Sequence, residues 1–313
     1  VDTLISEVFW VGLLAATVRL STPILLASLG EILAERAGVL NIGIEGMMLV
    51  GALGGFLGSR GTANSLIGVA AGVLAGMVLA WLFAYLTVTL AVDQVVCGIT
   101  VNLLALGVTS FVHRVIYGIR TLIPSATPLP EWHIPGLAQA PLLGPILFRH
   151  NLLVYGAIVL VAATWFLLYR TTWGLQVRAV GEYPRAADSV GVDVFRVRHL
   201  SLLACGGLAG MGGAFLSLGH LNMFVDHMTA GRGFIALAVV IFGKWHPVGA
   251  LGASLLFGAA EALQLRLQAL GFQIPFQFLV MLPYVLTVVA LAGVVGRSIQ
   301  PAALTLPYLK ESH

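Results

Sequence analysis

The feature that most constrains this chain is a succession of apolar stretches, nearly all the length of a membrane crossing. A spanning helix needs about 20 mainly apolar residues. Such stretches run over 8–29, 39–58, 65–90, 95–117, 151–169, 200–219, 248–266 and 277–296, with a shorter one over 233–243. Hydrophobic residues make up 59% of the chain and charged ones 9%, against about 45–50% and about 25% in soluble domains. So little charge cannot cover a globular surface. The expected fold is all-α: a polytopic helical membrane bundle of about 8–10 transmembrane helices, with 1–313 as one transmembrane domain embedded in a lipid bilayer. The stretch 233–243 is too short to cross at about 1.5 Å per residue. Non-spanning backbone at membrane depth survives only where protein covers it or where it lines a water-filled cavity. It is therefore expected to be a half-helix or re-entrant element beside a functional core.

Five arginines (Arg170, Arg178, Arg185, Arg196 and Arg198) fall within 170–199, which makes that segment the expected cytoplasmic loop. Alternation then puts 30–38, 91–94, 243–247 and the tail 297–313 on the same side. The link 118–150 and the N-terminus fall outside, and the C-terminus inside. The first apolar stretch follows neither a basic region nor a small-residue cleavage site, so it is expected to remain as a span. The outer link has six prolines between Pro124 and Pro145, and it reads as extended and irregular. Trp10 and Trp132 are candidate interfacial anchors. In this scheme Glu31, Glu35 and Arg36 sit in a watery link, where charge costs little. The net charge of +3 is small, and nothing suggests nucleic acid as a partner.

The chain has no G-x-x-x-x-G-K-[ST] loop and so no evident means of hydrolysing a nucleotide. His220, Asp226 and His227 have the wrong spacing for a metal site, and Cys97 and Cys205 read as packing residues. No catalytic residue, metal or cofactor is expected, and the chain is not read as an enzyme. Ionisable groups inside spans are more informative, because each costs about 2.5–3.5 kcal/mol at a helix centre. Arg19, Glu45 and Glu261 are such groups. Asn41 and Glu45, four apart, would share a helix face. With Gln94, Asn102 and the aromatic wall of Phe234 they are candidates for a polar solute pathway. The same amides would serve equally as interhelical hydrogen bonds, worth about 0.6 kcal/mol each. Small residues four apart (Gly51/Gly55, Gly54/Gly58, Gly68/Gly72/Gly76 and Gly206/Gly210) allow close helix approach within one bundle.

The segment "WGLQVRAVGEYPRAADSVGVDVFRVRHLS", 173–201, is patterned beyond what a solvated loop requires. Pro184 is placed to open a short helix. Ala186, Ala187 and Val190 would form its apolar face and Gly191 its end, which suits a docking element.

Together with "GEILAERAGVLNIGIEGMMLVGALGGFLGS" and "GRGFIALAVVIFGKWHPVGALGASLLFGAAEALQ", this segment resembles the permease subunits of ABC importers for branched-chain amino acids, ribose-type sugars and nucleosides. The wording is most similar to the simple-sugar/nucleoside branch. The resemblance implies a bacterial inner-membrane permease that passes a nucleoside or simple sugar. Its implied partners are cytoplasmic ATP-binding subunits, an external solute-binding protein and a second, different permease chain. It places Glu182, Pro184, Arg185, Ala186, Ala187 and Gly191 in the loop that couples to the ATPase. The alternatives are a branched-chain amino acid permease, or an ion-coupled carrier using Glu45 and Glu261.

Overall fold

The computed structural model describes residues 7–118, 124–133, 135–140, 142–270 and 300–309, with positions 277, 278, 281 and 285. The first helix, α1 (Glu7–Arg36), carries Pro23 in its interior. Thr17, Ser21, Thr22 and Ser28 each donate their hydroxyl to a carbonyl one turn back. This satisfies hydroxyls that lipid cannot. Next come α2 (Ile44–Thr62) and α3 (Ser65–Ala84), the latter capped by Asn64, which accepts from Leu66 and Ile67 N–H and so fills orphan donors. A π-helical turn, Tyr85–Thr89, extends α3, and Asp93 caps α4 (Gln94–Tyr117). The long link holds a two-stranded antiparallel pair, β1 (Glu131–His133) with β2 (Arg149–Asn151), and between them α5 (Leu143–Leu147). The chain continues through α6 (Leu152–Arg170), α7 (Thr172–Glu182) and α8 (Pro184–Ser189). Then come α9 (Val194–Phe215, extended by the π-helical turn Leu216–His220), α10 (Arg232–Phe242) and α11 (Pro247–Ala269).

Among the described residues, six helices (α1, α3, α4, α6, α9 and α11) are long and apolar enough to cross a membrane, counting the π-helical extensions. The 19 residues of α2 run between the same two ends. The expected span 277–296 lies almost wholly outside the described residues.

Helix α9 is the axis of the bundle, packed on α1, α2 and α3. The predicted small-residue positions make this possible, and all within one chain. A Cβ on Gly72 would stand 2.7 Å from Gly51 O, and one on Gly76 2.8 Å from Gly210 Cα. Lipid offers no hydrophobic force between helices, so such backbone contact supplies the packing instead.

Links between helices gather at two ends, as the alternation predicts. At the arginine-loop end, Leu40 N–H donates to Gln94, Arg36 to Trp245 O, Arg198 to Ala37 O and Leu306 O, and Ala303 N–H to Gly181 O. At the far end, Ser59 and Arg60 donate to Thr127 O and Ser125 O, and Ala126 N–H to Asn222 O. Trp10 and Trp132 are exposed, at 53% and 57%.

Three expectations need correction. First, α1 does not stop near residue 29. It runs to Arg36, and Glu31 and Glu35 are buried within it, because both carboxylates find donors there. Second, the helix expected from residue 39 starts only at Ile44. Third, Arg198 is not a free loop charge: it is buried, spending its guanidinium on the carbonyls of Ala37 and Leu306.

Candidate functional site

The short helix α10 has 11 residues and is roughly 16 Å long, half of the about 30 Å that a crossing needs. It begins after a tight turn in which Ala230 and Gly231 take positive φ of 47° and 83°. Its first N–H groups would be orphaned at depth. Glu45 of α2 satisfies two of them: Gly231 N–H donates to Oε1 (2.8 Å) and Gly233 N–H to Oε2 (2.6 Å). These are charge-assisted bonds, and the carboxylate also opposes the positive end of the helix dipole. Gly233 is required for the approach, since a Cβ there would lie 2.6 Å from Glu45 Cα. Arg232 turns away from Glu45 and pairs with Glu261 of α11. Both carboxylates considered for an ion-coupled route thus have fixed partners.

Asn41 and Glu45 do not share a helix face, because Asn41 lies in the turn before α2. Asn41 N–H donates to Glu31 Oε1 (2.9 Å), and its Nδ2 faces Cys205 Sγ (3.2 Å) and Met47 Sδ (3.3 Å). The Cys205 thiol donates to the other Glu31 oxygen (3.3 Å). Asn102 bridges the same turn, donating to Ile42 O (2.9 Å) and accepting Gly46 N–H (2.7 Å). Gln94 accepts Leu40 N–H (2.8 Å). Buried irregular backbone cannot turn to water, and these amides take water's place. Phe234, by contrast, presents 48% of its surface on α10. The structure therefore brings Asn41, Gln94 and Asn102 together around the entry to α2 and Glu45 onto α10, with Phe234 open beside it.

Sequence reasoning missed a second layer. Glu35 accepts from the Trp245 indole N–H, and Arg36 donates to Trp245 O (3.1 Å). Together they tie the end of α1 to the α10–α11 turn. The available signal was Glu31 and Glu35 spaced one turn apart after an apolar run, with a tryptophan whose N–H needs a partner when buried. Outside the spans, burial first and Arg36 second hold the His246 imidazole below its ordinary range. Its Nδ1 accepts Val248 N–H and caps α11.

The helix α8 forms as expected, with Pro184 in its first turn and Gly191 following at φ 87°. Its outward face differs from the expected one. Ala187 is buried against the chain, whereas Tyr183, Ala186 and Val190 point out, Tyr183 at 71% and Val190 at 79% exposure. Tyr183 and Val190 flank the six-residue helix rather than lie within it, so helical spacing alone does not separate them from Ala187, and the packing of α8 on the chain buries Ala187. Arg185 is exposed, and Glu182 accepts Ala302 N–H (3.3 Å), bringing the segment 300–309 against α8. A groove of about 660 Å³ runs between them.

Residues 13–295 match the family described as branched-chain amino acid transport system / permease component. The guanosine ABC transporter permease protein NupQ of Bacillus subtilis is 38% identical, covering 94% of this chain and 95% of its own length. The nucleoside ABC transporter permease protein NupC of Lactococcus lactis is 36% identical over 93% of this chain and 94% of its own. The provisionally named glucose ABC transporter permease TsgC13 of Haloferax volcanii is 43% identical over 84% and 80%. No solved structure matches the chain. A bundle of spanning helices around a capped half-helix, matched nearly end to end by such relatives, belongs to the branched-chain amino acid transport system permease family: the chain is an ABC transporter permease subunit.

Proposed function

We propose that the chain is the conduit subunit of an ATP-driven importer in a bacterial inner membrane, passing a nucleoside or, as second choice, a simple sugar. The observation that carries this reading is the nearly full-length likeness to NupQ and NupC, both named for nucleosides. The whole chain acts as one transmembrane unit, with its arginine-loop end and C-terminus in the cytoplasm and its N-terminus outside. ATP is hydrolysed by separate subunits that dock on Tyr183, Ala186 and Val190, flanked by Glu182, Pro184, Arg185 and Gly191. An external binding protein delivers the solute to the far end, and a second permease of different sequence completes the pathway. Phe234 contacts the solute, while Asn41, Glu45, Gln94 and Asn102 hold the wall behind it. Mass spectrometry of proteins that co-purify with the tagged chain tests the assembly: an ATPase subunit and a second permease are expected. A chain that transports while isolated from any ATPase contradicts the reading. A binding screen of nucleosides against pentoses on the co-purified binding protein then assigns the solute.

A further inference from the structure

Among the described residues, Glu31, Glu35 and Glu45 within the spans all accept hydrogen bonds, Arg198 donates to two carbonyls, and Arg232 pairs with Glu261. Two guanidiniums toward the far end stand apart from this pattern. Arg19 of α1 has neither a hydrogen bond nor an ion pair among the described residues. Among the same residues Arg266 of α11 has only the ring of Phe9, 5.4 Å away. Both line one far-end cleft of about 880 Å³ between α1, α11 and the link, and Arg149 lines it too. The Arg149 Nε is spent on Ala138 O, leaving its terminal nitrogens. Among the described residues Glu131 is the only carboxylate on the cleft wall, and its side chain is 70% exposed. Gly12 makes room for the arrangement, since a Cβ there would fall 3.2 Å or less from the Arg266 guanidinium. Among the described residues, three cations and one exposed carboxylate line the cleft, an excess of positive charge that a bound anion would balance.

Among the other lining residues His150, Asn151 and Asn222 are polar, while Phe9 and Leu20 are apolar and buried and Leu265 and Leu270 offer an apolar surface, 44% and 39% exposed. A ligand that matches must carry an anionic head on an apolar body. We propose that this cleft binds the phosphate headgroup of an anionic membrane lipid, its acyl chains lying along Leu265 and Leu270. The three guanidiniums surround the phosphate as multidentate donors, which a zwitterionic lipid satisfies less well because its ammonium meets the same arginines.

The test is native mass spectrometry of the full chain purified in neutral detergent, with equal phosphatidylglycerol and phosphatidylcholine added. The expected result is about tenfold preferential retention of phosphatidylglycerol. Arg19→Gln with Arg266→Gln abolishes the preference, and Arg149→Gln, on the exposed link, weakens it. Arg60→Gln, outside the cleft, leaves it intact. Equal retention of the two lipids by the unmodified chain overturns the proposal without reliance on any variant. So does a preference that survives in the double variant. Complete displacement of phosphatidylglycerol by inorganic phosphate also overturns it, and assigns the cleft to a free phosphate compound.

Discussion

Truncating the carboxylate that caps α10 should loosen that half-helix. In Glu45→Ala, the N–H groups of Gly231 and Gly233 lose acceptors at 2.8 and 2.6 Å. Hydrogen bonds to a charged group are worth about 1.5–3 kcal/mol each, so the pair sets a loss of roughly 3–6 kcal/mol. At about 2–4 °C per kcal/mol for larger domains, the midpoint of thermal unfolding should fall by roughly 6–24 °C. Glu45→Gln keeps one acceptor oxygen but turns a donor toward the second N–H, and should lose about half as much. Cys97 and Cys205 are both unpaired and buried, so a thiol-reactive fluorophore added during a heat ramp reports unfolding directly. Transport should decline in the same order as the midpoints. A Glu45→Ala protein with an unchanged midpoint refutes the capping argument. A Glu45→Gln protein that is fully stable yet as inactive as Glu45→Ala would instead mark Glu45 as a proton carrier.

Other perturbations separate packing from docking. Gly76→Leu forces side-chain atoms against the Gly210 backbone, 2.8 Å from where the Cβ alone would stand. Because backbone cannot give way, the cost should exceed the usual 1–3 kcal/mol, roughly, of overpacking, visible as loss of a monodisperse chromatographic peak. Val190→Asp should retain the fold but release the ATPase subunit in co-purification, whereas Ala187→Asp should lower the unfolding midpoint itself. Arg198→Ala removes donors to Ala37 O and Leu306 O, worth about 1.5–3 kcal/mol each. It should expose the segment 300–309 to carboxypeptidase trimming that the parent chain resists.

Much of the fold was legible because lipid imposes a simple rule: backbone must be helical, and helices must be long and apolar. The spans, the short α10 and the Pro184-led α8 follow from length and residue type. The small residues marked the contacts of α9 correctly, since only they allow backbones to touch. The site was less legible. Glu31 and Glu35 read as loop charges because their partners, Asn41, Cys205 and Trp245, come from elements that only tertiary packing brings near. Asn41 was assigned to a helix face by spacing, yet the helix begins at Ile44 because the turn before it is held by Glu31, Gln94 and Asn102 instead. In α8, composition marked Ala187 as apolar but could not say which way that apolar group faced. The phase of so short a helix is set by what it packs on.

As a proposed conduit, this chain would be driven by ATP hydrolysed on other subunits. The most direct measurement is uptake of radiolabelled guanosine into proteoliposomes containing the purified complex and its binding protein, with or without ATP on the loop side. Uptake should require ATP, stop when the ATPase subunit is omitted, and fall sharply in Val190→Asp. Uptake driven by a proton or sodium gradient without ATP would contradict the account.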